Sequence, residues 1–198
     1  LDARIQVDAE RIELSLQLQQ LAFASADGKL AGDKIEASLV ASAERRDASW
    51  NWRASLTWPG GESGEAYWAP LYRAGWARLT AGGKLTPEAL TVSEATLVLD
   101  GIGSASGSLQ WQRGSGKLVA ATIDTVPLDL AVAVPQLLQP FLDLRAGPKL
   151  AVSGKGRVAA SWDPEGMSRL DLALDGAVLE AGTVLALHGV GARIPWRR

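Results

Sequence analysis

The segment Arg11-Ile12-Glu13-Leu14-Ser15-Leu16-Gln17-Leu18-Gln19 alternates polar and apolar residues almost without exception. An extended backbone turns its side chains to opposite faces at successive residues, so this pattern specifies a strand with one dry face and one wet face. The same alternation returns in Trp50-Asn51-Trp52-Arg53-Ala54-Ser55-Leu56-Thr57-Trp58 and in Arg169-Leu170-Asp171-Leu172-Ala173-Leu174-Asp175. Between such runs stand turn-forming clusters: Ala26-Asp27-Gly28, Arg46-Asp47, Pro59-Gly60-Gly61, Ala81-Gly82-Gly83, Asp100-Gly101, Arg113-Gly114-Ser115-Gly116, Asp163-Pro164-Glu165-Gly166 and Asp175-Gly176. Their separation of roughly 8 to 15 residues is that of an antiparallel meander.

The fold class expected is therefore all-β, a long antiparallel meander curled into an open groove or partial barrel. Strands are expected at 1–7, 11–23, 30–43, 49–58, 64–71, 75–81, 90–99, 107–112, 117–123, 150–162, 169–174, 178–179 and 184–194. Three turns share a turn glycine, a lysine and a leucine, at Gly28-Lys29-Leu30, Gly83-Lys84-Leu85 and Gly116-Lys117-Leu118, which reads as a recurring style of strand entrance. One short helix is expected near 134–142, in Val134-Pro135-Gln136-Leu137-Leu138-Gln139-Pro140-Phe141-Leu142, after the strand-like Pro127-Leu128-Asp129-Leu130. Proline suits a first helical turn at 135 and limits or kinks the helix at 140. The apolar residues of that helix would cap an open end or edge of the sheet.

A length of 198 residues fits one β domain spanning 1–198. The chain opens on an alternating strand pattern with neither an initiator Met nor a leader, so we expect it to be a segment of a longer chain. The uncharged stretch from Leu130 to Leu142 is too short for a bilayer-spanning helix. With 47% hydrophobic and 21% charged residues the composition is that of a folded chain. A net charge of −2 with scattered cations argues against nucleic acid as a partner.

Recognisable chemistry is sparse. The Gly-Lys dipeptides lack the Ser or Thr and the following helix of a phosphate loop. Gly101-Ile102-Gly103-Ser104-Ala105-Ser106-Gly107 has the wrong spacing for a dinucleotide fingerprint and reads as a bend or bulge. The sole histidine, His188, lies in a strand-like run without a nucleophile elbow. With that one histidine and no cysteine, no metal-ligand set can be recognised. Glu62 and Glu65 sit in a Gly- and Ser-rich loop, which offers no burial to raise a carboxyl pKa. No catalytic, cofactor or metal residue is assigned. Eight tryptophans, at 50, 52, 58, 68, 76, 111, 162 and 196, read chiefly as strand-borne apolar bodies. Ala54, between Trp52 and Leu56, leaves a shallow place along its face.

The long amphipathic strands, the Leu99-Asp100-Gly101 and Leu174-Asp175-Gly176 rhythm, and the interposed Pro-Leu-Asp-Leu…Pro-Gln-Leu-Leu helix resemble the AsmA-like superfamily of TamB-, YhdP- and YdbH-type envelope proteins of Gram-negative bacteria. The likeness covers most of the chain, especially 81–198, and is one of pattern. What the resemblance implies is a repeating β groove, apolar inside and polar outside, that passes phospholipid between membranes or maintains the outer membrane. It also implies a periplasmic location, with any anchor outside this segment. The expected partner is a phospholipid or another acyl-chain lipid. Envelope proteins, and a second copy joined edge to edge, are further candidate partners. Candidate lipid-facing residues are Ile12, Leu14, Leu16, Leu18, Trp50, Trp52, Leu56, Leu170, Leu172 and Leu174. Two other readings fit the same residues: a closed β-sandwich serving adhesion or assembly, and a carbohydrate-binding module using Trp50 and Trp52 with Asp47 and Arg53. Alternation alone is shared by a closed core and an open groove.

Overall fold

The computed structural model describes residues 2–24, 31–58, 77–143, 148–181 and 185–198. The chain is all-β, one antiparallel meander sheet that does not close on itself. Its strands are β1 (Asp2–Val7), β2 (Arg11–Ala24), β3 (Ala31–Arg46), β4 (Ser49–Trp58), β5 (Ala77–Leu85), β6 (Ala89–Leu99), β7 (Gly103–Gln112), β8 (Lys117–Thr125), β9 (Leu128–Asp129), β10 (Leu150–Asp163), β11 (Gly166–Ala181) and β12 (Leu185–Arg197). Each pairs with its predecessor from β1 to β8; β10 then joins β8, and β11 and β12 follow, while β9 pairs with β10 from off the main path. A helical segment of α1 (Leu130–Ala133), a π-helical turn (Val134–Leu138) and α2 (Gln139–Asp143) interrupts the meander.

Side chains settle the turns locally. Asp8 Oδ1 accepts from the backbone N–H of Glu10 and Arg11 at 2.9 and 2.6 Å, closing β1 onto β2. Thr86 Oγ1 accepts from Ala89 N at 3.0 Å before β6, and Asp163 Oδ1 accepts from Glu165 N at 2.8 Å between β10 and β11. Short polar side chains that capture nearby amides in this way compete with the ladder and end it.

Several expectations need correcting. Ala81-Gly82-Gly83 and Gly83-Lys84-Leu85 are not a turn and a strand entrance; they form the last half of β5. Opposite them, Gly82 pairs with Glu94 and Gly83 with Val92, so the irregularity is a bulge at Ser93 in β6. Asp175-Gly176 does not separate two strands either. It is a bulge inside the continuous β11, where Gly176 takes φ +58 and Leu174 and Ala177 face successive partners on β12. The bulge shifts the alternation by one residue, which explains why the apolar phase of Leu170, Leu172 and Leu174 continues as Ala177, Leu179 and Ala181. In the stretch 101–107, only the start is a turn, and β7 runs from Gly103. The helical segment begins earlier than the expected 134–142, because Asp129 Oδ1 accepts from Ala131 N at 3.0 Å and starts a helix at Leu130. The expected strand 64–71, the turns at 26–28 and 59–61, the Gly28-Lys29-Leu30 entrance, Glu62, Glu65, Trp68 and Trp76 lie outside the described residues.

The core is small. Ala77, Leu99, Ile102 and Ala133 are buried together, with Trp58, Leu97, Leu128, Val132 and Leu137 packed around them. This cluster seats the helical segment over the β6–β7 turn. The fit is close at Gly156 of β10, where a Cβ would come within 2.8 Å of Leu130 Cδ2. Among the described residues no large side chain is fully buried.

Candidate functional site

Directly paired residues of antiparallel strands project to the same face, so the registers allow each face to be read across the whole sheet. One row runs Ile5, Leu14, Ala41, Ala54, Ala81, Ala95, Gly107, Ile123, Ala160, Leu170, Trp196, from the first edge strand to the last. A second row runs Ala3, Leu16, Leu39, Leu56, Leu79, Leu97, Ala105 through β1 to β7. Across β10 to β12, Val158, Leu172 and Ile194 share that face. On the other side of the first row lie Val7, Ile12, Ala43, Trp52, Gly83, Val92, Leu109, Ala121 and Trp162. The result is an apolar face that crosses every strand of the main path. Ten inter-strand steps of about 4.8 Å make it about 48 Å long.

The face has relief. From β3 to β7 the middle row is small, Ala41, Ala54, Ala81, Ala95 and Gly107, while Leu56, Leu79 and Leu97 stand on one side and Trp52, Val92 and Leu109 on the other. The shallow place expected beside Ala54 therefore extends as a furrow along the hydrogen-bonding direction. The opposite face carries the row Arg4, Ser15, Val40, Ser55, Thr80, Thr96, Ser106, Asp124, which is polar but for Val40.

All ten residues singled out from the sequence take places on the apolar face, and each is partly buried. Ile12, Leu14, Leu16 and Leu18 oppose Ala43, Ala41, Leu39 and Ala37. Trp50, Trp52 and Leu56 oppose Leu85, Gly83 and Leu79. Leu170, Leu172 and Leu174 oppose Ala160, Val158 and Gly156. The continuation across the central strands is not legible in the sequence, because Leu79, Leu97, Leu109 and the alanine row become contiguous only when turns and bulges set the register. Other apolar members remain open: Ile5 is 66% exposed, Ile194 56% and Trp196 42%. A second layer packed on this face would have driven such values toward zero.

Trp52 carries an anomaly. Its indole Nε1 is shielded from water and has no hydrogen-bond partner among the described residues. An unpaired, buried donor of this kind costs about 1–3 kcal/mol. The sugar-platform arrangement is not assembled, because Arg53 faces away from Trp50 and Trp52, beside Ser42 and Gly82.

Electrostatics belongs to the polar face. Arg157 holds Asp124 through both carboxylate oxygens at 3.0 and 2.7 Å, and this hydrogen bonding lowers the Asp124 pKa. Lys155 lowers that of Asp129 across 2.8 Å. Arg197, with Arg169, lowers that of Asp171, and Arg198 lowers that of Asp163. Each of these carboxylates is already engaged by a cation, which leaves it poorly suited to act as a base. His188 is exposed on β12, beside the bulge at Gly189. Among the described residues no group of three or more His, Cys, Asp or Glu is arranged to hold a metal ion, and no helix is long and apolar enough to cross a membrane.

No family model, no curated protein and no solved structure matches this chain.

Proposed function

We propose that this chain is a non-catalytic acyl-lipid carrier, a segment of a cell-envelope protein that passes phospholipid along its apolar β face in the periplasm. The observation that carries the reading is the apolar face that crosses the sheet from β1 to β12, on which Ile5, Leu79, Ile123, Ile194 and Trp196 are exposed and the other described members mostly half-buried. At about 0.8 kcal/mol per CH₂, a sixteen-carbon chain exposed to water would lose about 12 kcal/mol. Exchange of one apolar surface for the next along a continuous face avoids that loss, so transport needs no nucleophile, metal or base. The resemblance to the AsmA-like superfamily points in the same direction.

The test is extraction of a fluorescent phospholipid from vesicles by the purified chain, with transfer to acceptor vesicles. Leu14→Asp and Leu172→Asp each place a charge on the face at partly buried positions on opposite halves of the sheet. Both should abolish extraction while far-ultraviolet circular dichroism stays that of a β-sheet. Extraction undiminished in both folded variants would reject the carrier reading in favour of an interaction module.

A further inference from the structure

The polar face is uneven in charge. On β10 to β12, Ala173 stands directly between Arg157 and Arg193, and Asp171 between Ala159 and Pro195. Here the small side chains of Ala159, Ala173 and Pro195 leave a concavity of about 490 Å³, bounded by Arg157, Arg169 and Arg193. Two carboxylates engage these arginines and one neighbour. Arg157 donates to Asp124 from Nε and Nη2 at 3.0 and 2.7 Å, and Arg169 and Arg197 share Asp171. Among the described residues Arg193 has no ion pair, and neither Arg157 Nη1 nor the Nη groups of Arg169 have a partner. Four guanidinium charges therefore meet two carboxylate charges, an excess of two. A second concavity on this face, of about 460 Å³ on β3 to β6, sets Arg53 against Glu94 and carries no such excess.

We infer that the concavity on β10 to β12 binds a phosphomonoester dianion, with Arg157, Arg169 and Arg193 each offering a free guanidinium edge to one of its three terminal oxygens. The excess of two charges matches the dianion, and the planar guanidinium fork matches phosphate oxygens in geometry. A carboxylate or a phosphodiester brings one charge and two such oxygens, which leaves one arginine unfilled. Asp124 and Asp171 are positioning residues, each holding its arginine by the edge turned away from the ligand. The site lies on the face opposite the apolar one and does not rest on the carrier reading.

The test follows the arginine Nε–H signals by NMR at about pH 7, where a phosphomonoester with a second pKa of about 6 is mostly doubly charged. Glycerol 3-phosphate is the free probe, and vesicles containing phosphatidic acid present the same group on a membrane. The signals of Arg157, Arg169 and Arg193 should shift saturably, with a dissociation constant on the order of 1 mM at low salt. Binding should weaken several-fold at about 0.15 M ionic strength. Dimethyl phosphate, a diester, should bind about tenfold more weakly. Arg193→Gln, at an exposed position, should remove the binding. Ala173→Leu should do the same, because it fills the space without changing a charge, whereas Arg53→Gln should leave binding intact. Retention on the vesicles, lost in Arg193→Gln and Ala173→Leu, would extend the site to a lipid headgroup; binding of the free probe without retention would confine it to soluble phosphomonoesters. No saturable shift with either probe, equal binding of dimethyl phosphate, or binding or retention that persists in Ala173→Leu would overturn the inference.

Discussion

Ala54 shows how much a single side chain decides on this face. It follows Ala41 and precedes Ala81 in a cross-strand row, and the absence of bulk in that row is what separates a furrow from a flat apolar sheet. Ala81→Leu should fill the furrow with matching chemistry. We expect phospholipid uptake, measured by vesicle extraction, to fall several-fold while stability in urea changes by under about 1 kcal/mol, because the position is only partly buried. The residues of the apolar face on β2, β4 and β11 are legible in the sequence through strict alternation. The floor itself is not, since alanine carries little hydropathy contrast and its alignment depends on partners on other strands. Trp196 is a similar case. Nothing local joins it to Leu170, which it opposes across β11 and β12.

At the scale of elements, the helical segment and the bulges illustrate where alternation misleads. Leu128-Asp129-Leu130-Ala131-Val132 looks like a strand, yet Asp129 both ends β9 and caps α1, and capping wins because Leu130 then packs onto Gly156. Gly156→Val should push that helix off the sheet and destabilise the chain by about 1–3 kcal/mol in urea unfolding; an unchanged midpoint would contradict the seating described. The turn held by Asp163 is legible in the sequence, whereas those held by Asp8 and Thr86 carry no glycine to mark them, and a bulge such as Asp175-Gly176 uses the same residues as a turn and is distinguished only by the partner strand. Ion pairs across β8 to β12 give this region its acid response. Arg157, Lys155, Arg197 and Arg198 hold the carboxyls of Asp124, Asp129, Asp171 and Asp163 below the ordinary value of 3.8. A carboxyl whose folded pKa is depressed contributes stability that is present above the unfolded value and is lost as pH falls through the folded one. The contribution of these groups should therefore be flat at neutral pH and decline only below about pH 4. Urea midpoints measured against pH should show that decline, reduced in Asp124→Asn.

For the whole molecule, the consequence of an unclosed sheet is that it has two edges. Among the described residues β1 and β12 each pair on one side only, and Ile5 and Val7 on β1 are 66% and 69% exposed. Edges of this kind recruit other strands. The chain should self-associate with rising concentration in light scattering, and Ile5→Lys with Val7→Lys should suppress this without lowering the melting temperature. The same openness underlies the central claim, that the apolar face is a surface for acyl chains. Native mass spectrometry with lipid extraction, on the chain purified gently from a Gram-negative host, tests it most directly. Bound phospholipid in stoichiometric amount, absent from folded Leu14→Asp and Leu172→Asp variants, is the expected result. A lipid-free wild-type chain that also takes up none from vesicles would contradict it.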